Sequence, residues 1–246
     1  MAKVIFLGTN GWFDSLSGNT VSTLVKTRDY NIVLDAGNGI AKLSRYLDDN
    51  KPTYLFISHF HLDHVEGLHT ICLNTFSKKL NIIVHEGGTN ILNNLMKLPY
   101  MIPLNMLDFD TKVVEVPANA SKLPFKASFL PMQHPVLTQG MRMEVDGKII
   151  AYCLDTGYCE NAVILAKNSD LLILECTLKP NTSLKGHLNP ELCARIARES
   201  GAGMLALTHF EAKSYPDMEL RKKSEQLVKE LFDSSFMCLD GMEIDV

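Results

Sequence analysis

Residues 53–67, TYLFISHFHLDHVEG, pass from an apolar strand pattern into a cluster of His59, His61, Asp63 and His64, and then into a helix pattern. At the histidine and aspartate frequencies of this chain, an HxHxDH string arises by chance in roughly one sequence of this size in two thousand. Imidazole nitrogen with carboxylate oxygen suits zinc, manganese or iron, and a mixed N/O set without thiolate points to an open, catalytic site rather than a closed structural one. Side chains two apart on extended chain point the same way, so His59 and His61 can grip one ion at a strand end. Asp63 and His64, where the helix begins, can face a second.

The remainder alternates strand and helix patterns. Strands are predicted at 3–8, 53–58, 80–85, 111–116, 125–131, in LLILEC and GMLALTHF, and finally at 236–239. Helices are predicted at 39–47, from about His64, over 89–97, near 159–167, at NPE with Asn189 as N-cap, and over 217–231. Hairpins turn near Asp29 and at Asp146-Gly147. The halves echo each other: NIVLDAG matches KIIAYCLDTG, and YLFISHFH matches MLALTHF. The echo suggests a mixed α/β chain of two pseudo-symmetric halves packed sheet against sheet with helices outside, a four-layer αββα sandwich. No Pro- or Gly-rich linker divides it, so one domain over residues 1–246 is expected. Residues 95–109 are rich in Met, Leu and Pro and read as a packed loop, a substrate lid or a dimer contact.

Composition sets outer bounds. With 24 basic and 28 acidic residues the formal charge is −4, so no overall positive field draws in a long nucleic acid. The only basic runs, Lys78-Lys79 and Arg221-Lys222-Lys223, read as solvated helix faces. The six cysteines form no CxxC pair and read as reduced, packed thiols. The N-terminus is unlike a signal peptide and no run approaches the roughly 20 apolar residues of a membrane span, so a cytoplasmic protein is expected.

Four ligands cannot complete two coordination shells. His134 in FLPMQHP, Asp155 in AYCLDTG and His209 in ALTHF each sit where a strand gives way to a loop, as do Asp35 and His59. His69 and His85 fit no such pattern and read as structural. In this order the chain resembles the metallo-β-lactamase superfamily, and within it the ribonuclease Z-like branch of tRNA 3′-processing endonucleases and short phosphodiesterases. The motifs are FLGT…GNT, LDAG, HFHLDH, His134, Asp155, Glu175, His187 and His209. The resemblance implies that His59, His61 and His134 hold one divalent metal and Asp63, His64 and His209 another, zinc or manganese, with Asp155 bridging. Asp35 resembles the aspartate that orients a ligand histidine through its free ring N–H. Glu175 and His187 resemble the pair that protonates a leaving alkoxide, a pair that β-lactamases and thioesterases of the superfamily do not characteristically carry. Asp63 is implied to orient the attacking water and accept its proton.

The expected reaction is therefore hydrolysis of a phosphodiester by a water that two cations acidify. Which diester is a separate question. Long-armed tRNA-processing enzymes insert a basic arm between the third histidine and the bridging aspartate, whereas here a short hairpin fills that interval. A small diester is favoured: a cyclic nucleotide, a sugar cyclic phosphate or a short oligonucleotide. Trp12 and Phe13 are candidates to stack a base, with burial as a core cap the alternative. An RNA 3′-end endonuclease and a non-catalytic nucleotide sensor are the competing readings, and related enzymes suggest a homodimer.

Overall fold

A computed structural model describes residues 1–246. Its first sheet is built from Lys3–Gly8 (β1), Ser22–Lys26 (β3), Asn31–Leu34 (β4), Thr53–Phe56 (β5), Leu80–His85 (β6), Thr111–Val116 (β7) and Glu243–Asp245 (β15). The second sheet contains Lys126–Pro131 (β8), Gln139–Val145 (β9), Lys148–Cys153 (β10), Leu171–Glu175 (β11), Met204–Thr208 (β12) and Ser235–Met237 (β14). Asn10–Gly11 (β2) and Phe210–Glu211 (β13) form a separate parallel pair. The orders are β15-β1-β3-β4-β5-β6-β7 and β14-β12-β11-β10-β9-β8. The α-helices are Leu62–Val65 (α1), Gly88–Leu95 (α2), Glu160–Ala166 (α3), Pro190–Ser200 (α4) and Met218–Leu231 (α5).

Strand periodicity produces the layers. Successive side chains alternate faces, so in β1 Val4 and Phe6 enter the core between the sheets while Ile5 and Leu7 enter the core beneath the outer helices. The same split divides Tyr152 from Ala151 and Cys153 in β10. Phe56 of β5 meets Phe129 of β8 and Tyr152 of β10 across the gap, at centroid distances of 5.7 and 6.4 Å. The expected αββα sandwich is the architecture observed.

Each half consists of an antiparallel hairpin followed by two parallel strands, β3-β4-β5-β6 and β9-β10-β11-β12. Asp35 and Asp155 end the equivalent strands β4 and β10. The Ser/Thr-His echo is less symmetric, since His59 follows β5, adjacent to the hairpin, whereas His209 follows β12, one strand further out.

Several local expectations change. The helix expected at 39–47 is a 3-10 helix over Asn38–Arg45, and the one expected from His64 is a single α turn followed by 3-10 helix Glu66–Leu73. These turns press directly on backbone: a Cβ on Gly67 would sit 2.3 Å from the Gly37 carbonyl oxygen. The last predicted strand is followed by another, β15, which adds to β1. Residues 95–109 end where β7 begins; Met96 is buried and Phe109 packs against Phe76 at 4.7 Å, while Leu98, Tyr100, Ile102 and Met106 are exposed. All six cysteines are free. No helix is long and apolar enough to cross a membrane.

Phe56 is fully buried at the junction of both sheets. Phe56→Ala should lower the unfolding free energy by about 3–5 kcal/mol in urea denaturation monitored by circular dichroism.

Candidate metal centre

The strand ends on one edge of the sandwich bring His59, His61, His134 and Asp155 together, with one potential ligand atom from each lying within 4.8 Å of the others. Asp63, His64 and His209 form a second such group, and Asp155, Glu175 and His187 a third. Asp155 Oδ1 lies 3.5 Å from His64 Nε2 and 3.2 Å from His209 Nε2, so this carboxylate sits between the first two groups. Residues that are 150 positions apart in sequence meet because β4, β5, β10, β11 and β12 all end at this edge.

Hydrogen bonds settle which ring nitrogens are free. The Asp35 carboxylate only accepts, so His64 Nδ1, 2.8 Å away, carries the hydrogen and donates. Ser58 Oγ donates to the same carboxylate at 2.8 Å and therefore accepts from His59 Nδ1 at 3.1 Å. Thr177 Oγ1 donates to the His209 carbonyl at 3.1 Å and accepts from His209 Nδ1 at 2.9 Å. His134 Nδ1 donates to the Gly186 carbonyl at 3.2 Å. Each of these imidazoles thereby turns Nε2 inward, a lone-pair donor when the ring is neutral.

Those lone pairs converge. His64 Nε2 and His209 Nε2 are 3.1 Å apart, and His134 Nε2 is 3.2 Å from His61 Nδ1. His59 Nε2 and Asp155 Oδ1 are buried with no hydrogen-bond partner. Lone pairs facing one another and facing carboxylates repel unless positive charge sits among them. Divalent metal ions would answer that demand, and the nitrogen and oxygen donor set fits them.

The electrostatics agree. Burial opposes ionisation of Asp155, yet the imidazoles of His209 and His64 hold its carboxyl well below the usual range. Burial likewise opposes a charge on His64, but Asp155, Asp35 and Asp63 raise it well above an ordinary histidine. Buried carboxylates here call for cationic neighbours. His59, next to other imidazoles, is pushed well below an ordinary histidine by burial.

Asp35 is fully buried and accepts from His64, from the Ser58 N–H at 2.7 Å, from Ser58 Oγ and from the Tyr152 hydroxyl at 2.7 Å. Its φ is +58° and that of His209 is +55°, left-handed backbone that non-glycine residues adopt at a cost. Glu175 accepts from His187 Nδ1 at 3.1 Å, and also from the backbone N–H groups of Thr156 and Leu188 at 2.5 and 3.1 Å. Burial alone would lower His187; the Glu175 hydrogen bond and charge outweigh it and push the imidazole up to about 9. Its ring packs edge-on to His134 at 5.1 Å, beside the first group.

Trp12 is 62% exposed and Phe13 50%, so neither caps the core. The Trp12 backbone N–H donates to Asp63 Oδ2 at 2.6 Å, a contact that side-chain chemistry could not foretell. Ser58, Tyr152, Thr177 and the Gly186 carbonyl are further contributors that sequence reading missed. Of these only Tyr152 carried a signal, since alternation along β10 turns it inward, toward Asp35. His69 is hydrogen-bonded to the Glu66 carbonyl and His85 to the Glu86 carbonyl, both outside the cluster.

Asp35→Asn keeps the size but removes the charge and leaves an NH2 group facing at least one existing donor, the Ser58 N–H. Zinc affinity measured by chelator competition should fall by about 10–100-fold.

A family model described as Beta-lactamase superfamily domain matches residues 30–210. The probable metallo-hydrolase YhfI of Bacillus subtilis is 28% identical over 235 residues, which span 91% of this chain and 92% of that protein. The YhfI crystal structure superposes with a TM-score of 0.78 at 26% identity, covering 99% of this chain and 98% of that one. Human tRNase Z, short form, shares the fold with a TM-score of 0.76 at 23% identity over 99% and 98% of the two chains. A diphosphatase of the PhnP family does so with 0.77 at 15% identity over 100% and 98%. The chain thus belongs to the beta-lactamase superfamily, with the metallo-β-lactamase fold and the side-chain constellation of a metal-dependent hydrolase.

Proposed function

We propose that this metal-dependent hydrolase is a phosphodiesterase whose substrate is a small diester: a cyclic nucleotide, a sugar cyclic phosphate or a short oligonucleotide. The observation that carries the reading is the Glu175–His187 pair. It is buried beside the two ligand groups, with Nδ1 committed to the carboxylate at 3.1 Å and Nε2 left to serve as a proton donor. Hydrolysis of an ester with a poor alkoxide leaving group needs such a donor.

The residues divide the work. His59, His61, His134 and Asp155 would hold one cation, and Asp63, His64, His209 and Asp155 a second, zinc or manganese. Bound there, the cations would supply Lewis acidity, acidifying water and neutralising phosphoryl oxygens. Asp63 has Oδ2 fixed by Trp12 N–H at 2.6 Å, and its carboxylate would take the proton of the attacking water. His187 delivers a proton to the departing oxygen, and Glu175 keeps the ring in the donating tautomer and supports its charge. The Trp12 backbone contacts Asp63, and the exposed rings of Trp12 and Phe13 would offer aromatic faces for a base or sugar.

The small-substrate reading is supported by the interval between His134 and Asp155. Hairpin β9-β10, turning at Asp146 and Gly147, takes up most of it, and both strands are paired within the sheet. The formal charge of −4 gives no broad cationic face for a folded RNA. An RNA 3′-end endonuclease is the second reading, favoured by the likeness to tRNase Z, short form.

Metal-reconstituted protein assayed on 2′,3′- and 3′,5′-cyclic nucleotides, bis-p-nitrophenyl phosphate and a precursor tRNA separates these readings. Turnover of small diesters well above cleavage of the tRNA is expected; the reverse order supports the endonuclease. Tight nucleotide binding with no hydrolysis of any diester identifies a sensor instead.

His187→Ala should retain both cations by elemental analysis. It should lose about 10²–10⁴-fold in kcat on a diester with an alkyl leaving group, and much less with p-nitrophenolate, which needs no proton. Equal loss on both leaving groups contradicts the assignment.

A further inference from the structure

Arg221, in the first half of α5, was expected on a solvated basic face, but its side chain is fully buried while Lys222 and Lys223 are exposed. The guanidinium enters the space between the 9–20 loop and the segment after His209. One nitrogen donates to Asn10 Oδ1 and to Ser17 Oγ at 2.9 Å, and another reaches Thr9 Oγ1 at 3.3 Å. Its carbon lies 4.8 Å from the centre of the Phe210 ring. All of the hydrogen-bond acceptors are neutral and all belong to one loop, so a buried cation has been retained where no carboxylate binds it directly.

That loop is organised around Asn10. The Asn10 amide donates to the carbonyls of Phe13 at 3.2 Å and Gly18 at 2.9 Å and to Ser15 Oγ at 2.9 Å, while its oxygen is the one that Arg221 binds. Asn10 and Gly11 pair in parallel with Phe210 and Glu211, the residues that follow His209. Gly11 lies flat against the His209 imidazole, and a Cβ there would be 2.5 Å from Cε1. Trp12 follows at φ +71°, a left-handed conformation that aims its N–H at Asp63 Oδ2. One guanidinium therefore touches both strands that abut the Asp63, His64 and His209 group: Asn10, next to the residues that contact His209 and Asp63, and Phe210, directly after His209.

We propose that Arg221 is a positioning residue that holds β2 against β13 and so fixes Asp63 and His209 in the geometry of the second cation group. The proposal rests on the reading that this group binds a cation. A role confined to packing predicts lower stability and unchanged cation binding; a positioning role predicts a loss at the second group alone.

Cobalt(II) titration followed by visible absorption, with melting temperature recorded in parallel, distinguishes these for Arg221→Met and Arg221→Lys. Arg221→Met should keep a cooperative melt and one tightly bound cobalt ion, and lose at least about 10-fold in affinity for the other. Its kcat on bis-p-nitrophenyl phosphate should fall with KM little changed. Arg221→Lys, which retains charge but not the fork of donors, should fall between. Two cobalt ions bound with wild-type affinity in Arg221→Met overturn the proposal, whatever the change in melting temperature. Should Arg221→Met fail to fold, Asn10→Ser applies the same criterion to the partner of the contact. Wild-type protein that binds two ions and hydrolyses no diester defeats the phosphodiesterase reading and leaves this one to the affinity data; wild type that binds only one ion defeats both.

Discussion

The carboxylate of Asp155, 2% exposed and flanked by the imidazoles of both ligand groups, is the constraint to which the surrounding structure answers. A buried charge with a partnerless oxygen is tolerated only where positive charge is close. Here the imidazoles around it have their outer nitrogens tied to Asp35, Ser58, Thr177 and the Gly186 carbonyl, which turns their inner nitrogens into lone-pair donors. Positive charge among these nitrogens and carboxylates satisfies that arrangement, and bound cations would supply it. The left-handed backbone at Trp12, Asp35 and His209 falls in the same small region, as expected where geometry is imposed for binding rather than for folding.

The sandwich supplies the precision. Two sheets share one core, with Phe56 packed against Phe129 and Tyr152, which holds the strand ends that carry the clustered side chains in register. Tyr152 joins the two functions: its ring lies in that core and its hydroxyl ends on Asp35. The contacts that reach the candidate site thus begin in apolar packing and end in hydrogen bonds.

Much of the architecture was legible because it depends on periodicity. The unbroken apolar runs in KVIFLG and KIIAYC mark strands buried on both faces, and the LDAG and LDTG echo marks equivalent strand ends. The HFHLDH string located one wall of the site, and histidines at strand ends pointed to the other. What sequence did not reveal depends on distance or on backbone. The Trp12 N–H on Asp63, the Gly186 carbonyl on His134 and the flat contact of Gly11 with His209 involve no distinctive side chain. In the sequence Arg221 looks, with Lys222 and Lys223, like a surface run, since charge patterning cannot tell which residue of a helical run turns inward to meet a loop two hundred positions away. The 3-10 geometry of 38–45 and 66–73 likewise follows from tertiary crowding against backbone rather than from local propensity.

The account stands on two cations lying among these side chains. Anomalous scattering from crystals of zinc-reconstituted protein, recorded on either side of the zinc absorption edge, tests this most directly. Two peaks are predicted, one among His59, His61, His134 and Asp155 and the other among Asp63, His64, His209 and Asp155. Peaks elsewhere, or none at this edge of the sandwich in protein shown by elemental analysis to have been offered excess zinc, would contradict it.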